Sequence, residues 1–304
     1  MEMLTIMGIF DAYGAGFEYV DPERVRELNT VERYVMHPKW RTTVGKYTDD
    51  TQMAVALAEL LSRKPPHVWT HYEIARAFVA VFKRDPRKGY ASRFYSCLKQ
   101  MDTGWDFLKT IRPFSRKSGG AMRAPVLGLL PAEDAVMEMA RFQASLTHCT
   151  QLGMDAAAAS ALITHYFYHH LGHKGDLRKY LSTKGLCIDF SSPWRGRVDA
   201  LASEHVRAAV SAIEENSTMT EVLRACVAYT GDVDTVAAIA GPAVHFCEAI
   251  ENDLPESLVR EFEQGGSFGR RYLDELSLKL QRKYPRRVGN ESVADPTLIL
   301  DLFT

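Results

Sequence analysis

The stretch TDDTQMAVALAELLSRK, residues 48–64, decides the fold class. Its apolar residues recur at three- and four-residue steps, and Pro65 and Pro66 follow directly. This spacing places the apolar side chains on one face of an α-helix, and prolines are typical of the segment beyond a helix end. Two adjacent aspartates open the stretch. One aspartate would suffice to cap a helix, so the second, which repels the first, needs another explanation.

The same periodicity recurs along the chain and predicts an all-α protein. A second helix is expected from Thr70, where Glu73 three residues later completes a capping-box pattern. Further helices are expected in PAEDAVMEMARFQASLTH, MDAAAASALITHYFYHHLG, RVDALASEHVRAAVSAIEEN, TMTEVLRACVAYTG and DTVAAIAGPAVHFCEAIEN. Only GLCIDFS, residues 185–191, suggests a strand. We predict a single-domain multi-helix bundle over residues 1–304, with an irregular connection near 174–197.

Composition and charge limit the classes of function. The chain has 304 residues, 46% hydrophobic and 25% charged, and a formal net charge of -1. This balance does not indicate a nucleic-acid partner, and we expect no signal peptide and no membrane partner. Five cysteines without a CxxC motif suit reduced thiols. We therefore expect a cytoplasmic protein, and we expect it to be a monomer.

Two acidic clusters precede predicted helices at distant points of the chain. They are TDDT, residues 48–51, and TGDVDT, residues 230–235. Each cluster alone suits helix capping, because hydroxyl and carboxylate groups stabilise helix N-termini. Together they concentrate carboxylates that repel unless cations neutralise them, and such oxygen ligands suit Mg²⁺, Mn²⁺ or Ca²⁺. Helix capping and a dinuclear metal site both remain open at this point.

A glycine-containing stretch, KSGGAMRAPVLGLL at residues 117–130, offers a site for an anion. Its Ser118, Gly119 and Gly120 precede a helix-like run, and free N–H groups at such a position suit a phosphate. Arg116 and Lys117 add positive charge. The alternative is an ordinary turn.

The stretch FDAYGAGFEY, residues 10–19, places two acids in an apolar segment. If Asp11 is buried, it needs a hydrogen-bonding partner or a shifted pKa. The alternative is a surface acid on an amphipathic helix.

A histidine run, HYFYHHLGH, places His165, His169 and His173 at four-residue steps. Imidazoles at this spacing can bind zinc. No cysteine lies nearby and aromatic residues fill the run, so we favour a packing face.

Taken together, the motifs resemble the ADP-ribosylglycohydrolase family, which includes the dinitrogenase reductase-activating glycohydrolases and the ADP-ribosylarginine and ADP-ribosylserine hydrolases. Phe10 replaces the leading glycine of the family pattern GDAxGAxxE, and Ser118 replaces the asparagine of NGGAMR. The glycine before that asparagine is Lys117 here. The matching segments, in family order, are residues 11–18, 48–53, 118–123, 147–148 and 231–241.

The resemblance implies a compact all-α fold that holds two Mg²⁺ ions, or Mn²⁺ in some members. It implies catalytic or gating roles for Glu18, and Asp49 is our other candidate for proton transfer. The implied metal ligands are Thr48, Asp49, Asp50, Asp232, Asp234 and Thr235. The implied contacts to ADP-ribose are Ser115, Ser118, Gly119, Gly120 and His148.

The resemblance also implies a reaction: hydrolysis of the glycosidic bond between ADP-ribose and a protein side chain, with arginine the expected acceptor. Serine, a nucleobase and a small molecule remain open as acceptors. Two alternatives are a catalytically silent ADP-ribose-binding module and a Mg²⁺-dependent hydrolase of a small derivative such as O-acetyl-ADP-ribose.

Overall fold

The structure is a computed structural model that describes residues 1–39 and 44–286, and its regular elements there are helices. The first seven α-helices are α1 Met3–Gly14, α2 Pro22–Leu28, α3 Asp49–Arg63, α4 His71–Arg84, α5 Ser92–Gln100, α6 Gly104–Thr110 and α7 Glu133–His148. The next seven are α8 Gln151–Tyr168, α9 Leu177–Ser182, α10 Ala202–Glu215, α11 Met219–Ala228, α12 Val233–Phe246, α13 Glu256–Glu261 and α14 Arg270–Lys283. The all-α prediction is confirmed.

Short 3₁₀ turns and isolated bridges complete the described part of the chain. The turns are Pro66–Val68, Ser118–Gly120, Ala124–Leu129 and Lys174–Asp176. The helix-like run expected after Gly120 is therefore a 3₁₀ turn, which suits a stretch that contains Pro125. Of the helices in the described ranges, none is both long and apolar enough to span a lipid bilayer.

Three helices form the centre of the fold: α1, α8 and α12. Every residue of α1 is buried, and α12 packs closely against it. A Cβ on Gly14 would lie 2.5 Å from Asp234 Cα, and one on Gly241 would lie 3.1 Å from Phe10 Cγ. The end of α1 therefore meets the start of α12, so the two helices run antiparallel. This packing brings the segment after α1 next to the second acidic cluster.

The remaining helices cover this centre. Helix α4 packs on α3 and contacts α5 and α6, whereas α10 and α11 pack on α12. Helix α14 packs on α1 and α3, and α7 forms a hairpin with α8. Buried apolar side chains from these elements make one continuous core.

Several local predictions can be compared with this fold. The capping box of Thr70 and Glu73 is present at the start of α4. The strand suggested for residues 185–191 is wrong, because that segment is irregular and lies largely at the surface. The connection near 174–197 is irregular in part, but it also contains α9. The end of the chain, residues 287–304, lies outside the described residues.

Candidate active site

Residues of both acidic clusters line one cavity of about 1050 Å³. Its wall is built from the segment after α1, the N-termini of α3 and α12, the turn Ser118–Gly120 and the end of α7. The segment 88–97, which leads into α5, closes another side. Helix ends that converge in this way present polar groups without interrupting the apolar core behind them.

A buried aspartate fixes the start of α3. Asp11 is fully buried and accepts hydrogen bonds from the backbone N–H groups of Thr48 (3.0 Å) and Thr51 (3.0 Å). Both threonine hydroxyls also donate to it, at 2.8 Å and 2.6 Å. Burial raises the pKa of Asp11 to about 6, although these hydrogen bonds oppose the shift. The buried acid of the stretch FDAYGAGFEY thus has its partners, and they belong to the stretch TDDT.

Thr48, and not an aspartate, is the N-cap of α3. Its hydroxyl accepts a hydrogen bond from the Asp50 N–H at 3.3 Å. The Asp49 N–H donates to the Lys88 carbonyl at 3.0 Å. Both aspartate side chains therefore line the cavity instead of serving as the N-cap. Capping of α3 by Thr48 requires neither carboxylate, so helix capping does not explain the doubled aspartate.

An acidic cluster lies where α1 meets α12. Glu18, Asp232 and Asp234 each place a carboxylate oxygen within 4.8 Å of the other two. Asp50 joins this group from α3, because the Thr235 hydroxyl donates to its Oδ1 at 2.8 Å. The cluster therefore unites acids from the stretches FDAYGAGFEY, TDDT and TGDVDT.

The electrostatics of the cluster are those of a concentrated negative charge. Burial, followed by Asp232, Asp49 and Asp11, raises the pKa of Glu18 to about 9. Burial and neighbouring carboxylates likewise raise the pKa of Asp234 well above its usual range. Each shift expresses the cost of holding a charge among like charges in a poorly hydrated site.

One carboxylate of the cluster has a histidine partner. His205 of α10 is fully buried, and its Nε2 lies 2.8 Å from Asp232 Oδ2. Burial raises the pKa of the Asp232 carboxyl, but His205, together with hydrogen bonds from Asp234 and Thr235, lowers it below its usual value. No sequence motif marked His205, because a single histidine on a helix carries no signal by itself.

The cluster fits a hard metal ion. The residues offer carboxylate and hydroxyl oxygens, which are the ligands that Mg²⁺, Mn²⁺ and Ca²⁺ prefer. Five carboxylates lie together here: Glu18, Asp49, Asp50, Asp232 and Asp234. Among the described residues, no lysine or arginine forms an ion pair with any of them. A bound cation would therefore relieve their mutual repulsion.

The expected contacts to ADP-ribose lie on the same cavity, with one exception. Ser115, Ser118, Gly119 and His148 line it, and the Ser118 hydroxyl donates to Asp232 at 3.4 Å. Gly120 lies behind this wall, where a Cβ would be 3.1 Å from Ala144 Cβ. Gly120 therefore provides close packing between the turn and α7.

Cationic side chains also line the cavity. They include Lys88, Arg93, Arg112 and Lys117, which are exposed and form no ion pair in the described part of the chain. The sequence pointed only to the last of them. The other three lie on segments without a recognisable motif, and only the fold brings them to the cavity.

The histidine run lies elsewhere and serves packing. His165 Nδ1 lies 3.1 Å from the Gly128 carbonyl oxygen, and His169 Nε2 lies 3.1 Å from that of Leu130. Both side chains are buried between α8 and the 3₁₀ turn Ala124–Leu129. The preference for a packing face agrees with these contacts.

Comparisons with known proteins agree on a family. A family profile described as ADP-ribosylglycohydrolase matches residues 9–288. The chain is 31% identical over 156 residues to "ADP-ribosylhydrolase ARH3" of Homo sapiens, which is 45% of this chain and 42% of that protein. It is 29% identical over 181 residues to the protein of the same name from Mus musculus, which is 52% of this chain and 48% of that one.

These matches cover less than half the length of either curated relative. A solved structure titled "ADP-ribosylglycohydrolase-related protein complex" is similar over 92% of this chain and 98% of its own, with a TM-score of 0.69. Its sequence identity is 21%, so this likeness concerns the fold alone.

Proposed function

Because the chain belongs to the ADP-ribosylglycohydrolase family, we propose that it hydrolyses the glycosidic bond between ADP-ribose and a modified protein side chain. The observation that carries this proposal is the charge distribution of the cavity. Acids crowd its wall at Glu18, Asp232 and Asp234, and cations that form no ion pair in the described part of the chain line it as well. These two kinds of group match two parts of ADP-ribose: the ribose that carries the bond to be cleaved, and the anionic diphosphate.

The acidic part would hold two Mg²⁺ ions, or Mn²⁺ in their place. Bound Mg²⁺ supplies Lewis-acid polarisation of the oxygen atoms that it contacts. The residues proposed to hold the ions are Thr48, Asp49, Asp50, Asp232, Asp234 and Thr235. Asp11 and His205 support this set by fixing the start of α3 and the side chain of Asp232.

In the proposed hydrolysis, a water oxygen joins the anomeric carbon as the bond from that carbon to the acceptor atom breaks. The water loses a proton, and the departing acceptor atom gains one. Glu18 and Asp49 are the carboxylates that we propose for proton transfer. Both line the cavity, Glu18 as a member of the acidic cluster and Asp49 from the first turn of α3.

The diphosphate would lie against the turn Ser118–Gly120. Ser115, Ser118 and Gly119 offer polar groups on the cavity wall, and Lys117 adds charge beside them. Arg112 and Lys88 extend the positive charge along the cavity. Cationic side chains attract a phosphate, so the cavity wall beside the turn Ser118–Gly120 favours an anionic portion of the ligand.

We propose an ADP-ribosylated protein as the partner, with arginine as the modified residue, on the strength of the family resemblance. The test is a panel of ADP-ribosylated arginine, serine, cysteine and nucleobase, together with O-acetyl-ADP-ribose. Each is incubated with Mg²⁺ or with EDTA, and released ADP-ribose is measured. Release from arginine alone with Mg²⁺ supports the full proposal, and release from another acceptor corrects the substrate.

A silent binding module would give a different result. It would bind ADP-ribose in calorimetry without Mg²⁺ and release nothing from any member of the panel. The variant Asp49→Ala is the matched control for catalysis, because it removes a cavity carboxylate while Thr48 remains the N-cap. Full activity of this variant would overturn the assignment of the acidic cluster.

We also propose that the protein acts as a monomer in the cytoplasm. The five cysteines are unpaired, with Cys149 and Cys187 exposed, as suits a reducing compartment. Light scattering on the purified protein tests the oligomeric state. A stable dimer at micromolar concentration would contradict the monomer.

A further inference from the structure

A buried chain of hydrogen bonds leads from the interior to the cavity wall at His148. It begins at Arg123, whose side chain is only 1% exposed. The Arg123 Nε donates to Gln143 Oε1 at 2.5 Å, and its Nη2 donates to Thr147 Oγ1 at 2.8 Å. Thr147 Oγ1 lies 2.7 Å from His148 Nδ1. His148 then lines the cavity.

The direction of donation along this chain is fixed by its first members. The Gln143 Nε2 group donates to the carbonyls of Gly120 (2.8 Å) and Ala140 (3.1 Å), which leaves Oε1 as the acceptor that faces Arg123. A guanidinium can only donate, so Thr147 Oγ1 accepts from Arg123. The hydroxyl has one proton left to donate.

That proton has one acceptor among the described residues, which is His148 Nδ1. Thr147 is buried, and a buried hydroxyl proton is normally hydrogen-bonded. Thr147 therefore donates to Nδ1, and Nδ1 is an acceptor. In a neutral imidazole, an accepting Nδ1 requires that the proton sits on Nε2.

The imidazole is neutral because its surroundings disfavour a charge. Burial, and then the nearby Arg123 guanidinium, lower the pKa of His148 to about 3. No protein group in the described ranges bonds to Nε2. A Cβ at Gly119 would lie 3.1 Å from Nε2 and 2.8 Å from Cε1, so the glycine leaves this edge of the ring open.

We propose that Arg123 and Thr147 are positioning residues that hold His148 as the Nε2–H tautomer, so that it donates a hydrogen bond to an oxygen of the ligand. The identity of that ligand, ADP-ribose, rests on the proposed function. The relay itself rests on contacts within the protein. The other tautomer would turn the Nε2 lone pair toward the ligand, so that Nε2 could accept a hydrogen bond but not donate one.

A packing role alone would not account for these contacts. A buried guanidinium is costly, and no carboxylate in the described part of the chain forms an ion pair with Arg123. Its donors instead go to Gln143 and to the Thr147 hydroxyl. The ring of Phe78, 4.6 Å from the guanidinium carbon, covers one face and excludes water from the group.

The first test reads the tautomer directly. Two-bond ¹H–¹⁵N correlation spectra of the wild-type protein separate the two neutral tautomers, and His148→Gln assigns the signal. We expect His148 as the Nε2–H form, unchanged between pH 5 and pH 8. Wild-type protein with the proton on Nδ1, or a charged ring in this range, would overturn the relay.

Two variants of Thr147 separate the hydroxyl from the shape of the side chain. Thr147→Ser keeps the donor, and we expect it to retain the wild-type tautomer. Thr147→Val keeps the shape without the donor, and we expect its two ring nitrogen shifts to move toward each other as both tautomers become populated. Identical spectra for the valine variant and the wild type would contradict the assigned role of Thr147. Circular dichroism checks that each variant is folded.

The second test measures the affinity for ADP-ribose by calorimetry. Loss of a hydrogen bond to a charged oxygen weakens binding by roughly ten-fold or more, so we expect this loss in Thr147→Val. We expect Thr147→Ser to bind as the wild type does. Equal affinities for all three proteins would refute the bond from Nε2 to the ligand. A wild-type protein that does not bind ADP-ribose would overturn the proposed function, and the spectra would still decide the relay.

Discussion

Replacing one carboxylate of the acidic cluster should stabilise the metal-free protein and remove most of its response to Mg²⁺. The variant is Asp234→Asn. Asp234 is 3% exposed, and its Oδ1 accepts from the Thr235 N–H at 3.0 Å. An asparagine oxygen can keep this bond, so the substitution removes the charge with little change in shape. The substitution should raise the stability of the metal-free protein and reduce the stabilisation by Mg²⁺, and one experiment can measure both effects.

The magnitude follows from the distances in the cluster. Oxygens of Glu18 and Asp232 lie within 4.8 Å of one from Asp234. Two unit charges at that separation repel by about 3.5 kcal/mol at an effective dielectric constant of about 20. Partial protonation reduces this repulsion in the metal-free state. Loss of a negative charge near the start of α12 costs about 0.3–1 kcal/mol, so we expect a net stabilisation of about 1–2 kcal/mol.

Thermal unfolding with EDTA and with Mg²⁺ is the assay. A change of 1 kcal/mol shifts Tm by about 2–4 °C in domains of about 150–250 residues, so a stabilisation of about 1–2 kcal/mol should raise the Tm of the variant in EDTA by about 2–8 °C. Mg²⁺ at one hundred times its Kd stabilises the wild type by about 2.7 kcal/mol, which is about 5 °C or more. The variant should lose most of this increase.

Glu248→Gln provides the matched control, since it removes an exposed carboxylate that does not line the cavity. It should leave both the metal-free Tm and the Mg²⁺ response nearly unchanged. An Asp234→Asn protein that melts lower in EDTA and still responds fully to Mg²⁺ would refute the reasoning.

Three further predictions test the parts that surround the cluster. Asp11→Asn keeps one acceptor oxygen but places an NH₂ group against the remaining N–H and O–H donors of Thr48 and Thr51, so it should lower the unfolding free energy by at least about 2 kcal/mol in urea titrations, and unchanged stability would contradict its anchoring role. Gly89→Ala should reduce ADP-ribose release at least about ten-fold, because a Cβ there would clash with Asp49 Oδ1 and the backbone φ is 101°. Gly175→Ala is the control, since a Cβ at Gly175 would have nothing within 4 Å. Equal activity of the two variants would count against the placement of Asp49. Mg²⁺ binding should weaken as pH falls, since protons compete for carboxylates whose pKa values are raised by burial, and calorimetry that finds the same affinity at pH 8 and pH 5.5 would contradict this.

The sequence was most informative where chemistry coincides with a helix start. The doubled aspartate after Thr48 and the acids before α12 are local patterns, so they could be recognised without the fold. Their convergence could not be worked out from spacing, because it depends on the packing of α1 against α12 and on the hydrogen bonds that hold the start of α3 to Asp11 of α1. Helix α1 itself has no polar face, since all its residues are buried, and periodicity therefore gives no signal there.

Other parts of the site depend on tertiary structure alone. The burial of Asp11 predicted a need for partners, but only the fold shows that they are the backbone and hydroxyl groups of Thr48 and Thr51. His205 reaches Asp232 from α10, a helix with no motif in common with the acidic clusters. Gly120 matches a family motif, yet it faces Ala144 and not the cavity. A linear pattern cannot distinguish a glycine that permits packing from one that contacts a ligand.

The measurement that tests the central claim most directly is ADP-ribose release from an ADP-ribosylated arginine peptide as the metal is removed and restored. The account predicts release with Mg²⁺, none after EDTA, and recovery when Mg²⁺ is added back in excess. The variant Asp49→Ala should stay inactive throughout. Equal release in EDTA, or full activity of the variant, would contradict the account.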